Sequence, residues 1–427
     1  MFFVIYEIAL HLLALFTLPI ILYRFIAKKR YRKSFALRFG RGYPEIEKKG
    51  RFCVWVHAVS VGETKAVAPL VKILRESRPE ALIIISSITE TGHTEAQKSI
   101  PDADHFVYLP FDFNYVVKPI VKKVQPDLVI LCETDFWANF QRESKRVGAR
   151  LVLVNGKISE KSLRRHYILP WVSNHLFNDI DLFCVQSPLH KKRFEQAGVP
   201  SQKIIPTGNL KLDDVYPFMS DKDKLEWMER LGIQADDKVL VVGSTHSPEE
   251  KLILTSLEEV QAIHPTLKII LAPRHPERCS EVEDILKKKG LSYIPFTRID
   301  EKKGGERVVL VDVIGQLRKC YQIADLAIVA GSYTEKIGGH NILEPSSYGV
   351  PVICGPYMHS QRDFLDLFRE YHVGVQTQKN NITSEILTLL ADKGKRERMG
   401  QAGKDAINSA KGATHRTWKE MEKLLKS

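Results

Sequence analysis

The segment AIVAGSYTEKIGGHNILEPSSYGVPVICG, residues 327–355, contains two apolar β-branched runs that are separated by a glycine loop and a helical pattern. Strand, loop, helix and strand in this order are typical of a parallel βαβ unit. The loop carries Gly338 and Gly339, and the helical pattern covers residues 341–348. This pattern predicts unpaired amides and the positive end of a helix dipole beside the loop, which together bind anions. Glu344, one turn into the helix, is expected to accept a hydrogen bond from a ribose hydroxyl. An ordinary chain reversal explains the same glycines.

On both sides of this segment, short apolar runs alternate with helical patterns, which predicts an α/β fold with two Rossmann-like, doubly wound parallel-sheet domains. A polar segment over residues 215–237 interrupts the rhythm and marks the domain boundary. We expect residues 396–425 to form a long helical tail that packs back on the first domain, and a ligand cleft to lie between the domains. The predicted strands are 52–57, 82–86, 128–132, 151–154, 182–185, 204–207, 239–243, 269–272, 308–311, 326–329 and 352–354.

Composition narrows the class of protein. The 427 residues are 44% hydrophobic and 27% charged, as in globular chains, and the net charge is +12. Such an excess of cations favours an acidic partner, which is nucleic acid, anionic lipid or a phosphorylated substrate. Nucleic acid is not expected, because no basic motif is interleaved with aromatic residues. The six cysteines form no CxxC pair, which indicates a reducing compartment and no metal cluster.

The N-terminal residues 2–26 are mostly apolar, and a helix of this length is able to cross the ~30 Å hydrocarbon core of a bilayer. The sequence predicts a membrane anchor over residues 1–27 with the remaining chain on the cytoplasmic side. An interfacial helix and a buried first helix are the alternatives. The prediction rests on a basic flank that contains no acid before Glu45: Arg24, Lys28, Lys29, Arg30, Arg32, Lys33, Arg38 and Arg41.

Polar residues gather where the predicted strands of the first domain end. Parallel sheets bind ligands outside these carboxyl ends. Glu63 is a candidate general base, although an acid in the first turn of a helix also simply complements the helix dipole. The same alternatives apply to Glu133 and Asp135. The complete set is His57, Ser60, Glu63, Thr89, Glu90, Glu133, Asp135, Asn155 and Lys157.

Several cations are candidates for anion binding. Arg274 and His275 follow a predicted strand of the second domain, and Lys211 closes the first domain. A surface salt bridge and a solvated linker lysine are the alternatives. The basic runs 164–166 and 191–193 either meet acceptor phosphates or form a solvated face. Walker, HExxH and GxSxG motifs are absent from the sequence, so backbone amides and cations are expected to stabilise a leaving nucleotide.

Six ordered motifs resemble the 3-deoxy-D-manno-octulosonic acid (Kdo) transferase family, the lipid A glycosyltransferases of Gram-negative bacteria. The resemblance covers nearly the whole chain. The motifs are WVHAVSVGE (55–63), CETDFW (132–137), VNGKIS (154–159), TGNLK (207–211), APRHPER (272–278) and GGHNILEP (338–345).

The resemblance implies a GT-B fold and transfer of Kdo from CMP-Kdo to the tetraacyldisaccharide 4'-phosphate lipid A precursor (lipid IVA). It further implies inversion, no metal ion, no cofactor, and a location at the bacterial inner membrane. An acceptor-binding domain is then expected at residues 28–215, a CMP-sugar-binding domain at 216–395, and a returning C-terminal helix at 396–427.

The resemblance also assigns roles to individual residues. Glu63 corresponds to the family's proton acceptor, and Glu133 and Lys211 correspond to its transition-state stabilisers. Gln316 stands where relatives often have Glu, and Cys132 stands where Ser is commoner. Another GT-B enzyme with a different nucleotide sugar and a non-catalytic, membrane-tethered anion-binding protein are the alternatives. The implied CMP contacts are Pro273, Arg274, Ile314, Gly315, Gln316, Asn341, Ile342, Leu343 and Glu344.

Overall fold

The computed structural model describes residues 1–26, 34–134, 136–168, 170–213 and 217–426. Asp135 and residues 28–33 of the basic flank lie outside the described residues. The chain divides into two compact units, residues 1–214 with 410–427, and residues 215–409. The predicted roles of the two domains and the cleft between them stay predictions.

The first unit is built on a seven-stranded parallel sheet in the order β3–β2–β1–β4–β5–β6–β7. The winding reverses between β1 and β4, which is the switch point of a doubly wound fold. Strands such as β1 and β4 are buried on both faces, which explains why they are continuous apolar runs. The strands are β1 (Cys53–His57), β2 (Leu82–Ser87), β3 (His105–Tyr108), β4 (Leu128–Cys132), β5 (Arg150–Gly156), β6 (Leu182–Val185) and β7 (Ile204–Pro206).

Helices cover the sheet of the first unit and complete its core. The last of them comes from the far end of the chain and buries Trp418 and Met421 in this core. The helices are α1 (Phe2–Ile26), α2 (Ser34–Arg38), α3 (Val61–Ser77), α4 (Glu90–Ser99), α5 (Asn114–Val124), α6 (Ala138–Arg146), α7 (Glu160–Ile168), α8 (Pro170–Phe177), α9 (Pro188–Gln196) and, from the C-terminus, α18 (Ala413–Lys426).

The second unit repeats the arrangement with the strand order β10–β11–β9–β8–β12–β13–β14, again all parallel. Its strands are β8 (Val239–Thr245), β9 (Lys268–Pro273), β10 (Tyr293–Pro295), β11 (Val308–Leu310), β12 (Leu326–Val329), β13 (Val352–Cys354) and β14 (Gly374–Gln376). Its helices are α10 (Asp221–Arg230), α11 (Glu249–Ile263), α12 (Cys279–Lys288), α13 (Leu317–Tyr321), α14 (Leu343–Ser347), α15 (Arg362–Glu370), α16 (Ile382–Ala391) and α17 (Lys393–Ala410).

The predicted α/β architecture with two doubly wound parallel sheets is confirmed. The prediction of a single C-terminal helix is wrong, because α17 ends at Ala410 and α18 begins at Ala413. Gly412 separates them with a φ of +87°, a conformation that breaks a right-handed helix. The carboxylate of Asp213 then accepts the amides of Gly412 at 2.6 Å and Thr414 at 2.5 Å, and so caps α18.

Candidate active site

Glu63 lies in the first turn of α3, immediately beyond the end of β1. Its own amide donates to the hydroxyl of the N-cap residue Ser60 at 3.3 Å. Its carboxylate accepts from the Ser60 hydroxyl at 2.7 Å and from the backbone amide of Val59 at 2.8 Å. These three hydrogen bonds fix the direction of a carboxylate that is only 9% exposed. The structural role of Glu63 is thereby visible, and its role as a base stays a prediction.

Glu133 follows β4 and forms the centre of an ionic cluster. Its carboxylate lies 2.6 Å from the Lys157 ammonium and 2.5 Å from the Lys211 ammonium. The Asn155 side-chain amide donates to the same carboxylate at 3.3 Å. Glu133 is buried, whereas both lysine side chains are about one-third exposed. One carboxylate facing two ammonium groups leaves a net positive charge at the carboxyl ends of the strands.

The charge state of Glu133 follows from two opposing effects. Burial raises the pKa of its carboxyl group, but the positive charges of Lys211 and Lys157 outweigh burial and hold the pKa below the ordinary value of 4.5. Glu133 is therefore ionised near neutral pH and stays paired with the two lysines.

The backbone is strained at the carboxyl ends of β4 and β5. Glu133 directly follows β4, Asn155 is the penultimate residue of the adjacent strand β5, and both adopt left-handed φ values, +63° and +53°. For residues other than glycine this conformation costs on the order of 1–3 kcal/mol, and such residues concentrate at functional sites. The Asn155 side-chain oxygen also accepts the amide of Leu210 at 3.0 Å, which brings Lys211 beside Glu133. Sequence reasoning noted Asn155 at a strand end but missed this linking role.

His57 is placed differently from the other strand-end residues. It is fully buried, and its Nδ1 lies 2.9 Å from the Ser86 hydroxyl oxygen. Burial lowers the pKa of His57 to about 3. His57 is therefore a neutral core residue and is not available to a ligand.

In the second unit, Arg274 follows β9 and is exposed. Three histidines lie near it. The Nε2 atoms of His246 and His340 are 2.8 Å apart, and the His275 ring centroid is 5.6 Å from that of His246. Burial and then the charge of Arg274 lower the pKa of His340 to about 4. The charge of Arg274 therefore contributes to the lowered pKa of His340, the residue that follows the two loop glycines.

The glycine loop differs from the prediction in its amides. Gly338 donates to the carbonyl of Thr334 at 3.3 Å, and Gly339 donates to the carbonyl of Gly331 at 2.9 Å. The predicted unpaired amides are therefore wrong at these two glycines. The predicted helix over 341–348 is also shorter, because α14 contains only five residues, and a helix this short carries a weak dipole. Both glycines adopt positive φ, and a Cβ at Gly339 would collide with the side chain of Met358.

The remaining predicted CMP contacts lie in two turns that one ion pair joins. The Arg318 guanidinium on α13 donates to the Glu344 carboxylate on α14 at 2.6 Å, so Glu344 already has a charged partner. Gln316 is the N-cap residue of α13 and brings the turn 314–316 to this pair. Ile342 and Leu343 are fully buried. Ile314, by contrast, is 85% exposed.

Across the described ranges, no group of three or more His, Cys, Asp or Glu residues has an arrangement that would hold a metal ion. The predicted independence from metal ions and from a cofactor stays a prediction.

Comparison with known proteins identifies the family. Residues 33–214 match the family model of 3-deoxy-D-manno-octulosonic-acid transferase (kdotransferase), and residues 225–406 match that of glycosyl transferases group 1. The 3-deoxy-D-manno-octulosonic acid transferase of Chlamydophila psittaci (strain ATCC VR-125 / 6BC) is 36% identical over 96% of this chain and 93% of its own length. The chain belongs to the Kdo transferase family. The corresponding transferase of Haemophilus influenzae (strain ATCC 51907 / DSM 11121 / KW20 / Rd) is 30% identical over 92% of this chain and 91% of its own length.

Among solved structures, a glycosyltransferase from Rickettsia africae ESF-5 superposes with a TM-score of 0.59. The superposition covers 87% of this chain and 97% of the Rickettsia chain. At a sequence identity of 14% it shows the fold alone. The GT-B fold predicted for this Kdo transferase family member is confirmed, as is the family resemblance drawn from its six motifs.

Proposed function

We propose that the protein transfers Kdo from CMP-Kdo to the tetraacyldisaccharide 4'-phosphate lipid A precursor, with inversion, in lipopolysaccharide biosynthesis. The reaction takes place on the cytoplasmic side of the bacterial inner membrane. The observation that carries the proposal is the 36% identity with a Kdo transferase over 96% of this chain. The charge of +12 supports a phosphorylated lipid acceptor at an anionic surface.

Glu63 acts as the general base. Its carboxylate takes the proton of the acceptor hydroxyl, whose oxygen attacks the anomeric carbon of Kdo from the face opposite CMP. The bond between that carbon and the phosphate oxygen breaks, and CMP leaves with the electron pair. The hydrogen bonds from Val59 and Ser60 support this role because they hold the carboxylate in one direction before the acceptor binds.

The cluster around Glu133 stabilises negative charge. Lys211 faces the carboxylate of Kdo or the departing phosphate, and Glu133 and Asn155 hold Lys211 in position. A preorganised cation needs little rearrangement in the transition state, which is why its electrostatic contribution is large.

The second unit binds CMP through Arg274 and through the turns at 314–316 and 341–344. Arg274 is exposed and supplies a planar set of donors for phosphate oxygens. The reaction needs no metal ion, because these groups and the lysines carry the positive charge that the leaving nucleotide requires.

The test is transfer of labelled Kdo from CMP-Kdo to the lipid A precursor by the purified protein in excess EDTA. We expect a labelled lipid and stoichiometric CMP release, and mass spectrometry of the lipid counts the Kdo units. Glu63→Gln should reduce the rate by about 10²–10⁴-fold. Glu281→Gln is the matched control, because Glu281 also lies in the first turn of a helix but is exposed in the second unit.

A Glu63→Gln protein that transfers Kdo at the wild-type rate would refute the role of Glu63. A folded wild-type protein that binds CMP but yields no product would refute the proposed acceptor or donor. Stronger competition by UDP than by CMP would point to another nucleotide sugar, and anion binding without any transfer would point to a non-catalytic protein.

A further inference from the structure

Helix α1 is long and strongly apolar, but it is not part of the core. Among the described residues it contains the one window, Phe2–Pro19, that is long and apolar enough to cross a membrane, judged by length and composition. Only 6% of this window is buried. A buried core helix is therefore ruled out, and α1 either crosses a bilayer or lies on it.

The first two turns of α1 are fixed to the first unit by polar contacts. The Tyr6 hydroxyl donates to the Asp112 carboxylate at 2.7 Å. The Glu7 carboxylate accepts from the backbone amide of Asn114 at 2.6 Å and from the side chain of Asn139 at 2.7 Å. Breaking such a contact costs free energy, because it leaves a partly buried polar group without its hydrogen-bond partner.

These contacts also cap the N-termini of two helices. Glu7 accepts the first amide of α5, whose own N-cap residue Phe113 provides no side-chain acceptor. Asp112 accepts the amides of Asn139 and Phe140 at the start of α6, whose N-cap residue Trp137 also provides none. Tyr6 in turn donates to Asp112. The N-terminal end of α1 is thus an integral part of the unit.

Aromatic contacts secure the same end of α1. The Phe2 ring stacks on His175 with centroids 4.4 Å apart and is only 5% exposed. The Arg142 guanidinium lies 3.8 Å above the ring of Phe3. Phe2 and Phe3 therefore face the unit rather than lipid.

The chain returns to the same surface after α1. The Arg38 side chain at the end of α2 donates to the carbonyl of Leu109 at 3.0 Å, and the Phe111 amide donates to the carbonyl of Arg38 at 2.8 Å. Eight chain steps separate Ile26 from Ser34. An extended chain covers at most about 3.6 Å per residue, which is roughly 29 Å here and less than the ~40 Å needed to recross a bilayer with its headgroups.

The exposed side of α1 is apolar over several turns. In the first two turns Val4 and Ile8 point away from the side that carries Tyr6. Farther along the helix the other sides are exposed as well, as Leu13 and Leu18 show. The basic flank follows directly in the sequence and complements anionic lipid headgroups. The exposed large apolar residues of α1 are Val4 (62%), Ile5 (44%), Ile8 (55%), Leu12 (48%), Leu13 (58%), Leu15 (62%), Phe16 (76%), Leu18 (43%) and Tyr23 (61%).

We propose that α1 does not span the membrane but lies along the surface of an anionic bilayer. Its apolar side, Val4 to Phe16, enters one leaflet. Its docked N-terminal end stays at headgroup level, on the side of the membrane that carries the first unit.

Cysteine labelling tests the topology with the full chain. The six native cysteines are all buried, so almost all of the labelling comes from the introduced cysteine. One variant carries a cysteine inserted after Met1, and the reference variant is Glu47→Cys, at a position 62% exposed on the first unit. A membrane-impermeant maleimide is applied to spheroplasts and to inside-out vesicles. We expect both thiols to be labelled from the same side, and labelling from opposite sides would overturn the proposal.

Vesicle binding tests the membrane surface. The full chain should bind vesicles of phosphatidylcholine with phosphatidylglycerol more tightly than vesicles of phosphatidylcholine alone. Phe16→Asp should weaken binding to the anionic vesicles at least about tenfold, given the free energy of burying a Phe side chain. Phe218→Asp is the control, because Phe218 is 63% exposed in the second unit. Unchanged binding of Phe16→Asp, or a wild-type protein that does not bind anionic vesicles, would overturn the proposal.

Discussion

Glu133 shows at the scale of one residue how burial, strain and charge are balanced. A buried carboxylate and a left-handed backbone are both unfavourable, and two ammonium groups offset them. Lys157 and Lys211 belong to different motifs of the sequence, and the Asn155 side chain supports the second of them. The three motifs CETDFW, VNGKIS and TGNLK therefore form a single cluster.

We predict that Lys211→Met reduces Kdo transfer more than tenfold and changes its pH dependence. Without Lys211, burial is opposed by one lysine fewer, so the pKa of Glu133 rises. In the wild-type protein, the stability of the cluster is present above pH 4.5 and is lost as pH falls through the lowered pKa. Activity of the variant should therefore already fall at a higher pH, so that the acid limb of its kcat/KM profile is shifted upward relative to that of the wild-type protein. Lys65→Met, at an exposed lysine of α3, should have the wild-type profile.

His57 gives a prediction about stability rather than activity. Its pKa is about 3 in the folded protein because of burial, against 6.5 ordinarily, so protons bind to the unfolded chain first. The stability from its neutral form is present above pH 6.5 and is lost as pH falls toward about 3, by at most ~1.4 kcal/mol per pH unit. Urea unfolding of His57→Gln between pH 7 and pH 5 should show a shallower loss than wild type. His415→Gln, at an exposed position, should retain the wild-type slope; an equally steep loss in His57→Gln would contradict the prediction.

At the scale of elements, the strands that the sequence failed to predict share one property. β3, β10 and β14 each lie at an edge of a sheet. Edge strands are covered less completely, so they do not need a continuous apolar run. β14, Gly374–Gln376, has no fully buried residue, and β10 ends in a proline, which edge strands tolerate. Every central strand was predicted, because burial on both faces leaves a local signal.

The break between α17 and α18 is also an element-scale feature, and it depends on Asp213. Asp213→Ala removes the acceptor for two amides at the start of α18, and loss of such a cap costs about 0.5–2 kcal/mol. We predict this decrease in the free energy of unfolding of the first unit, measured by urea titration. Asp213→Asn retains one side-chain acceptor and should lose less; equal stability of Asp213→Ala and wild type would exclude the capping role.

At the scale of the whole molecule, the chain leaves the first unit and comes back to it. Residues from 46 to 210 form most of the core of this unit, and α18 adds Trp418 and Met421 from the C-terminus. The returning helix is therefore part of the hydrophobic core and is not an appended tail.

We predict that Trp418→Ala destabilises the first unit by about 3–5 kcal/mol, the usual cost of truncating a large buried aromatic side chain. The second unit has its own core, so its unfolding transition and CMP binding should change little. Differential scanning calorimetry with and without CMP separates the two transitions. Trp171→Ala, at a side chain 40% exposed, is the control, and an equal effect of both substitutions would refute a core role for α18.

The sequence by itself determined the fold class, the central strands and the family. Strands buried on both faces must be short apolar runs, and ordered motifs survive as local patterns of residues. The tertiary structure alone decided that Glu133 pairs with Lys157 and Lys211, that the glycine amides are already used, and that α1 is fixed by Glu7 and Tyr6. These features depend on contacts between residues far apart in the chain and on hydrogen-bond geometry, and neither leaves a periodic signal in the order of the amino acids.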